Sequence, residues 1–384
     1  MRALGLMSGT SLDGIDAALV DVVPRGDRYS VSVVRFVSQP FTSRLRERLE
    51  AALPPERGST AAVAQLHADL GAAFTATAAA TVEGHRVDFV ATHGLTVYHD
   101  GLRSTTLQIG RPYELRDALR ASVVWDFRTA DCALGGSGAP LVPIVDAIVF
   151  GSSEEDRVAV NIGGICNVTI LRRSVKPNDV IAFDVGAGTM LLDAFVRERT
   201  DQTMDVDGKL TEKGTVEEAL LERMLADPYF TLDPPKSTGR EQFGRQMLDA
   251  HRQELSHLSV EDGCATLAAF TVRPLAEAIR RYGAPGSRVI LGGGGSRNPA
   301  LVQMLRIALG EAVRIGLSDD FGISADAKEA VAFAILGYET LRGRPANVPS
   351  VTGAREPAIL GSIVPYELPA LLANVARETG DAHR

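Results

Sequence analysis

The 384-residue chain is 45% hydrophobic and 23% charged, the length of about two average domains with the apolar content of an ordinary globular protein. Its net charge of −8 argues against a nucleic-acid partner, because binding a phosphate backbone needs a basic surface. No apolar run of about 18 residues occurs, the opening MRALGLMSGT lacks a signal-peptide core, and Cys132, Cys166 and Cys264 are scattered without CxxC spacing, so neither membrane insertion, export, a disulfide framework nor a zinc site is indicated and the cytoplasm is the expected location.

The spacing predicts strands at Ala3–Met7, Asp16–Val23 and Val31–Val37, joined by Gly, Pro and Asp turns, the first two as a hairpin. A helix follows from about Ser43, with Leu45, Leu49 and Ala52 on one face, and an Ala-rich helix spans roughly Thr60–Val82. Val87–Thr92 and Ser122–Phe127 read as further strands, and this alternation implies an α/β layer. The cluster LGGSGAPLVP, Leu134–Pro143, has neither helical nor strand periodicity and marks a boundary between a first lobe, 1–134, and a second, 135–384, whose C-terminal segment is free to cross back. Beyond it the pattern restarts with Val158–Ile162, Cys166–Leu171 and Ile181–Asp184, so the second half echoes the first in outline. Helices are then expected at about Gly188–Glu198, Glu212–Leu225, Glu241–Leu255 and Val260–Tyr282, a strand at Val289–Leu291, a helix from near Pro299 and a last long one at about Asp326–Leu341. The closing ANVARETGDAHR is polar and is expected to fray.

Three glycine-rich turns carry the chemistry. Gly9-Thr10-Ser11-Leu12-Asp13-Gly14 lies between two strands, where small residues let backbone N–H groups approach phosphate oxygens and the hydroxyls add donors. A plain hairpin turn explains the same residues, and GxxxxGK[ST] spacing is absent, which excludes a P-loop. In Phe183-Asp184-Val185-Gly186-Ala187-Gly188-Thr189 a carboxylate precedes two glycines and a helix. There it can serve as general base, hold Mg2+, or simply cap the helix. The third turn, Gly292-Gly293-Gly294-Gly295-Ser296-Arg297-Asn298, is bare enough for an adenosine to approach and does not match GxGxxG. Their order across two similar halves describes a nucleotide clamped between two lobes.

At MSGTSLDGID, residues 7–16, the sequence resembles the anhydro-N-acetylmuramic acid kinase family of the actin and sugar-kinase superfamily. Further resemblances are THGLTVYH (92–99), TLQIGRP (106–112), WDFRTADCALGGSGAPLVP (125–143), VNIGGICNVTIL (160–171), PPKSTGREQF (234–243), GGGGSRNPAL (292–301) and ADAKEAVAFAILGYETLRGRPANVPSVTGA (325–354). The resemblance implies a two-lobed, ribonuclease-H-like α/β fold of the actin-like ATPase and sugar-kinase type with an interdomain cleft. It implies a homodimer and a kinase of peptidoglycan recycling: 1,6-anhydro-N-acetylmuramic acid, ATP and water give N-acetylmuramic acid 6-phosphate and ADP. Gly9, Thr10, Ser11, Leu12, Asp13, Gly14, Ile15 and Asp16 fall on the family's ATP-binding segment, and Asp184 on its catalytic aspartate. Gly186, Gly188, Gly292, Gly293, Gly294 and Asn298 complete the expected nucleotide contacts, with Mg2+ expected at Asp184 and Glu329. His93, Thr96, Arg128 and Glu329 match segments lining the family's sugar pocket, where the Arg128 guanidinium suits the lactyl carboxylate of a muramic sugar. Lys236 in PPKSTGRE could face an anion, although Thr238 and Glu241 also spell a capping box.

The chain departs from the family pattern in two places. Gly186-Ala187-Gly188-Thr189 stands where a Gly-Pro-Gly-Asn turn is usual, and Leu95 where Gln is common. Both bear on the sugar more than on phosphoryl transfer. Two other readings remain: a levoglucosan-type kinase acting on a smaller anhydro sugar, and a non-catalytic actin-like ATP-binding module.

Overall fold

Two sheets organise the chain. The structure, a computed structural model, describes residues 1–9, 12–26, 28–53 and 58–380, apart from the side chains of Asn178, Glu241 and Thr379. Thr10 and Ser11, two of the expected phosphate contacts, and the Glu241 carboxylate of the expected capping box lie outside the described residues. One compact unit comprises Met1–Val149, Lys176–Asp179 and Ala327–Arg384, the other Phe150–Val175 and Val180–Asp326.

The first unit holds β1 (Arg2–Ser8), β2 (Gly14–Arg25), β3 (Arg28–Pro40), β4 (Phe89–Asp100), β5 (Thr105–Ile109) and β6 (Ser122–Trp125). β1, β2 and β3 form an antiparallel meander, and β4 and β6 add parallel to β1, giving the order β3-β2-β1-β4-β6. β5 folds back on β4, and the short strand Ser362–Val364 closes the edge against β6. Alternation along β1 sends Leu4 and Leu6 into a core with Leu66, Leu70 and Phe74 of the helix Thr60–Val82. Against the other face lies the helix Lys328–Leu341, buried at almost every position and packed on β1, β2 and β4. Its approach depends on small residues, since Gly5 faces the Ala330 carbonyl and Gly337 faces Ala91. Its two charged, buried side chains are both paired: Lys328 with Asp146 at 2.9 Å, and Glu339 with the Tyr29 hydroxyl.

The second unit repeats the plan with β7 (Arg157–Ile162), β8 (Ile165–Leu171), β9 (Ile181–Ala187), β10 (Arg288–Gly292) and β11 (Ile315–Leu317). Their order is β9-β8-β7-β10-β11, again an antiparallel meander of three followed by two parallel strands. The helices Val260–Tyr282 and Pro299–Leu309 cover one face through Val272, Leu275, Ile279, Leu301 and Leu305. A second core gathers Leu191, Phe195, Leu220, Met224, Phe243 and Phe270.

Several sequence expectations are corrected. The helix expected over Glu212–Leu225 is two pieces, Lys209–Lys213 and Glu218–Leu225, parted at Gly214, which packs on the Glu261 carbonyl. That expected over Glu241–Leu255 is three: Arg240–Phe243, Arg245–Ala250 and Arg252–Ser256. Gly239, not Thr238, takes the N-cap position of the first of these. Residues 373–379 of the expected fraying end belong to the helix Leu368–Thr379, anchored by buried Leu371 and Val375, while 381–384 lie outside the described residues. No helix among the described residues is long and apolar enough to cross a membrane.

Candidate functional site

Asp184 sits on β9, an edge strand whose pairing with β8 slips by one residue: Asn167 opposes Asp184 while Cys166 opposes Gly186. Such a bulge bends the strand and re-aims its side chains. The outer edge of β9 is covered by residues 229–238. Thr238 N–H donates to Asp184 Oδ2 at 3.0 Å, Asp184 N–H donates to the Lys236 carbonyl at 3.2 Å, and the Tyr229 hydroxyl donates to the Asp184 carbonyl at 2.7 Å. The carboxylate is half-buried, and its charge adds to burial in pushing the Cys166 thiol up.

The turn after Asp184 differs from the sequence expectation. Gly188 N–H is bonded to the Gly164 carbonyl and Thr189 N–H to that of Gly163, both at 2.8 Å, so neither is available to a phosphate. Gly188 is needed for packing, because a Cβ there would overlap the Gly163 carbonyl oxygen. Gly186, at φ 155°, lies against the Phe230 ring.

In the third turn β10 ends at Gly292, and a short 3-10 turn, Gly294–Arg297, leads into the helix from Pro299. Gly293 and Gly295 pack on Ile162, whereas Gly294 faces open space. The Asn298 side-chain oxygen accepts from Ala300 N–H at 3.0 Å and Leu301 N–H at 3.1 Å, so it is occupied as a helix cap. A cavity of about 690 Å³ opens beside this turn, lined among others by Glu212, Ser296, Arg297, Gln303 and Leu317.

The remaining candidates belong to the first unit. In the β1–β2 hairpin Leu12 N–H bonds to the Gly9 carbonyl at 3.2 Å and Ser8 Oγ to the Gly14 carbonyl at 2.7 Å. The side chains of Leu12 and Ile15 are buried in the core, so they can offer a nucleotide only their main chain. Asp13 is held by Arg46 at 3.0 Å.

Arg128 donates from Nε to His93 Nε2 at 2.9 Å and from Nη1 to the Gly138 carbonyl at 2.7 Å. Burial pushes its guanidinium down to about 10, which leaves it charged at neutral pH. His93 is buried, its Nδ1–H donates to the Gly94 carbonyl at 3.1 Å, and burial followed by the Arg128 charge holds it well below its ordinary value. The neutral tautomer is thereby fixed, and both ring nitrogens are engaged within the protein. Thr96 Oγ1 accepts from Gln108 Nε2 at 3.1 Å. Leu95 is 0% exposed in the hydrophobic core, so the departure at that position does not face the same way as Thr96. The Glu329 carboxyl is raised above its usual range by desolvation first and by the Asp16 charge second, with Arg128 and Lys328 opposing.

Arg128 and His93 are thus hydrogen-bonded to each other, and the charges of Asp16 and Arg128 both act on Glu329. No group of three or more metal-ligating side chains occurs among the described residues. Asp16 and Glu329 carry carboxylates, hard oxygen donors of the kind that hold a divalent cation with water or phosphate as its other ligands. Tyr229 and Gln242 escape the sequence reading, because Tyr229 meets Asp184 from 45 residues away and Gln242, 58 residues away, meets it only through Thr238, across a strand edge that the sequence does not mark.

Two sheets of one strand plan, with an aspartate on a bulged strand and a bare glycine turn after the fourth strand of the second, define a ribonuclease-H-like protein of the actin-like ATPase and sugar-kinase class. The family model for anhydro-N-acetylmuramic acid kinase matches residues 1–366. A relative of that name from Streptomyces avermitilis is 43% identical over 373 residues, covering 95% of this chain and 94% of its own. Another from Rhodococcus erythropolis is 40% identical over 377 residues, covering 95% and 94%. The chain belongs to the anhydro-N-acetylmuramic acid kinase family. Among solved structures, component A of the Acidaminococcus fermentans (R)-2-hydroxyglutaryl-CoA dehydratase is 12% identical, with a TM-score of 0.45 over 87% of this chain and 96% of that one. The fold is fixed here by the strand orders themselves.

Proposed function

We infer that the chain is an ATP-dependent kinase that opens 1,6-anhydro-N-acetylmuramic acid with water and phosphorylates O6, giving N-acetylmuramic acid 6-phosphate and ADP in peptidoglycan recycling. The observation that carries this is Asp184, in a chain whose residues 1–366 match this family, held on a bulged edge strand by three hydrogen bonds. A carboxylate so oriented is suited to take the proton from the water that attacks the anomeric carbon.

The other roles follow from the chemistry of the groups present. Arg128, fixed by His93 and the Gly138 carbonyl, presents a charged fork for the lactyl carboxylate, with Thr96 as a hydroxyl partner for the sugar. His93 acts through Arg128. The main chain of the Gly9–Asp16 hairpin would meet the ATP phosphates, and the cavity beside Gly294 would take the adenosine. Mg2+ would supply charge neutralisation for γ-phosphoryl transfer, with Glu329 and Asp184 as the expected carboxylates and Asp16, whose charge acts on Glu329, as a further one. A homodimer and a cytoplasmic location complete the proposal.

A charged, half-buried guanidinium favours an acidic sugar over levoglucosan, which carries no carboxylate. The test is Asp184→Asn. It should leave ATP binding by calorimetry near wild type and abolish release of ADP that depends on the anhydro sugar; near-normal turnover would refute the assignment.

A further inference from the structure

The segment that covers the edge of β9 is tied to itself as well as to Asp184. Thr238 Oγ1 donates to Gln242 Oε1 at 3.0 Å, and Gln242 Nε2 donates to Asp227 Oδ1 at 3.0 Å. The same Asp227 oxygen accepts Tyr229 N–H at 2.8 Å. Tyr229 then returns to the Asp184 carbonyl through its hydroxyl at 2.7 Å, and Thr238 returns to Asp184 Oδ2 through its N–H at 3.0 Å. The hydrogen bonds thus close a ring: Asp184, Tyr229, Asp227, Gln242, Thr238 and back to Asp184. Lys236 braces the ring from within. Its Nζ lies 4.6 Å from the Tyr229 ring centre and donates to the Tyr229 carbonyl at 3.2 Å, while its own carbonyl accepts Asp184 N–H at 3.2 Å.

The arrangement has a chemical consequence. The main chain of β9 at Asp184 is anchored on both its N–H and its C=O by one segment, and that segment also donates to Oδ2 of its carboxylate. A carboxylate on a bulged edge strand has no strand partner on its outer side to resist rotation or drift, and this ring supplies one. We propose that Tyr229, Thr238 and Gln242 are positioning residues for Asp184, holding its carboxylate in the rotamer that acts on water with Oδ2 fixed by the protein. This rests on the reading of Asp184 as the base.

Three variants test it in the full-length enzyme: Tyr229→Phe, which keeps the ring under Lys236 and removes the hydroxyl; Thr238→Val, which keeps the branched shape and removes the donor to Gln242; and Gln242→Leu. Each should lower kcat by about tenfold to a hundredfold, the scale of a misplacement of roughly 1 Å, with KM for ATP and for the anhydro sugar within about twofold. Thr238→Ser, which keeps the hydroxyl, should restore kcat. A purely structural role predicts instead that kcat and KM change together with loss of folded protein, and that Thr238→Ser gives no rescue. Wild-type kcat in Tyr229→Phe and Thr238→Val, alongside an inactive Asp184→Asn, would overturn the positioning role alone; an active Asp184→Asn would overturn this proposal and the base assignment together.

Discussion

Gly5→Ala places a methyl group where β1 meets the helix Lys328–Leu341. The added carbon would overlap the Ala330 carbonyl oxygen and stand 2.9 Å from both the Ala330 carbonyl carbon and Ala334 N. Non-bonded heavy atoms settle near about 3.5 Å, so on those two atoms alone the helix must withdraw by roughly 0.6 Å, and by more to clear the oxygen. Gly5 is not at positive φ, so backbone strain adds nothing and overpacking is the whole effect. Overpacking at a helix–sheet contact of this kind costs about 1–3 kcal/mol, readable by calorimetry as a lowered transition temperature of the first unit. Glu329 immediately precedes Ala330, so the same shift moves its carboxylate relative to Asp16. A displacement of that size should lower kcat by about tenfold with ATP affinity less affected. A variant with wild-type stability and wild-type kcat would refute both the packing argument and the link to Glu329.

Two further outcomes are expected. Arg128→Ala should raise KM for the muramic sugar by roughly tenfold to a hundredfold, the scale of a lost charged hydrogen bond, while KM for ATP changes little; Arg128→Lys should not restore it, because a lysine lacks the planar fork, and equal effects on both substrates in steady-state kinetics would count against a lactyl contact. His67, His93 and His99 all titrate below the usual 6.5, each through burial first. Their folded values lie below the unfolded one, so the stability they contribute is present above about pH 6.5 and is lost as pH falls from there toward the folded values. Thermal melts should therefore drop between pH 7 and pH 5 with a shallower slope in His93→Gln, and an unchanged slope would oppose the buried neutral assignment.

The meander β1 to β3, the helix Thr60–Val82 and the helix Val260–Tyr282 were legible because period and capping agree: Ser59 and Ser259 cap where apolar spacing begins. The strand β4 was cut short at Thr92 because Gly94 looks like a stop, whereas it adopts φ 71° within a continuing strand. The helix Val142–Phe150 was hidden by the Gly-Pro cluster at its start. At the site, Asp184 was visible as a carboxylate before glycines, and Glu329 through the family resemblance. Their surroundings were not. Asn298, expected at the nucleotide, also caps a helix through its side-chain oxygen, and Leu95, which stands where the family commonly has Gln, fills the core. Which face a strand residue takes, and which distant loop covers an edge, depend on tertiary register that one sequence does not specify.

The first unit is made from both ends of the chain, with residues 150–326 largely set aside in the second. A ribosome releases the β1–β3 meander early, but the helix that seals its second face is encoded more than 320 residues after Gly5. The inserted second unit can mature while its host waits with an uncovered apolar surface, the state in which nascent chains aggregate or recruit chaperones. Translation that stops short of residue 328 would strand that surface permanently, so full-length synthesis is the step that commits the N-terminal sheet to its native form.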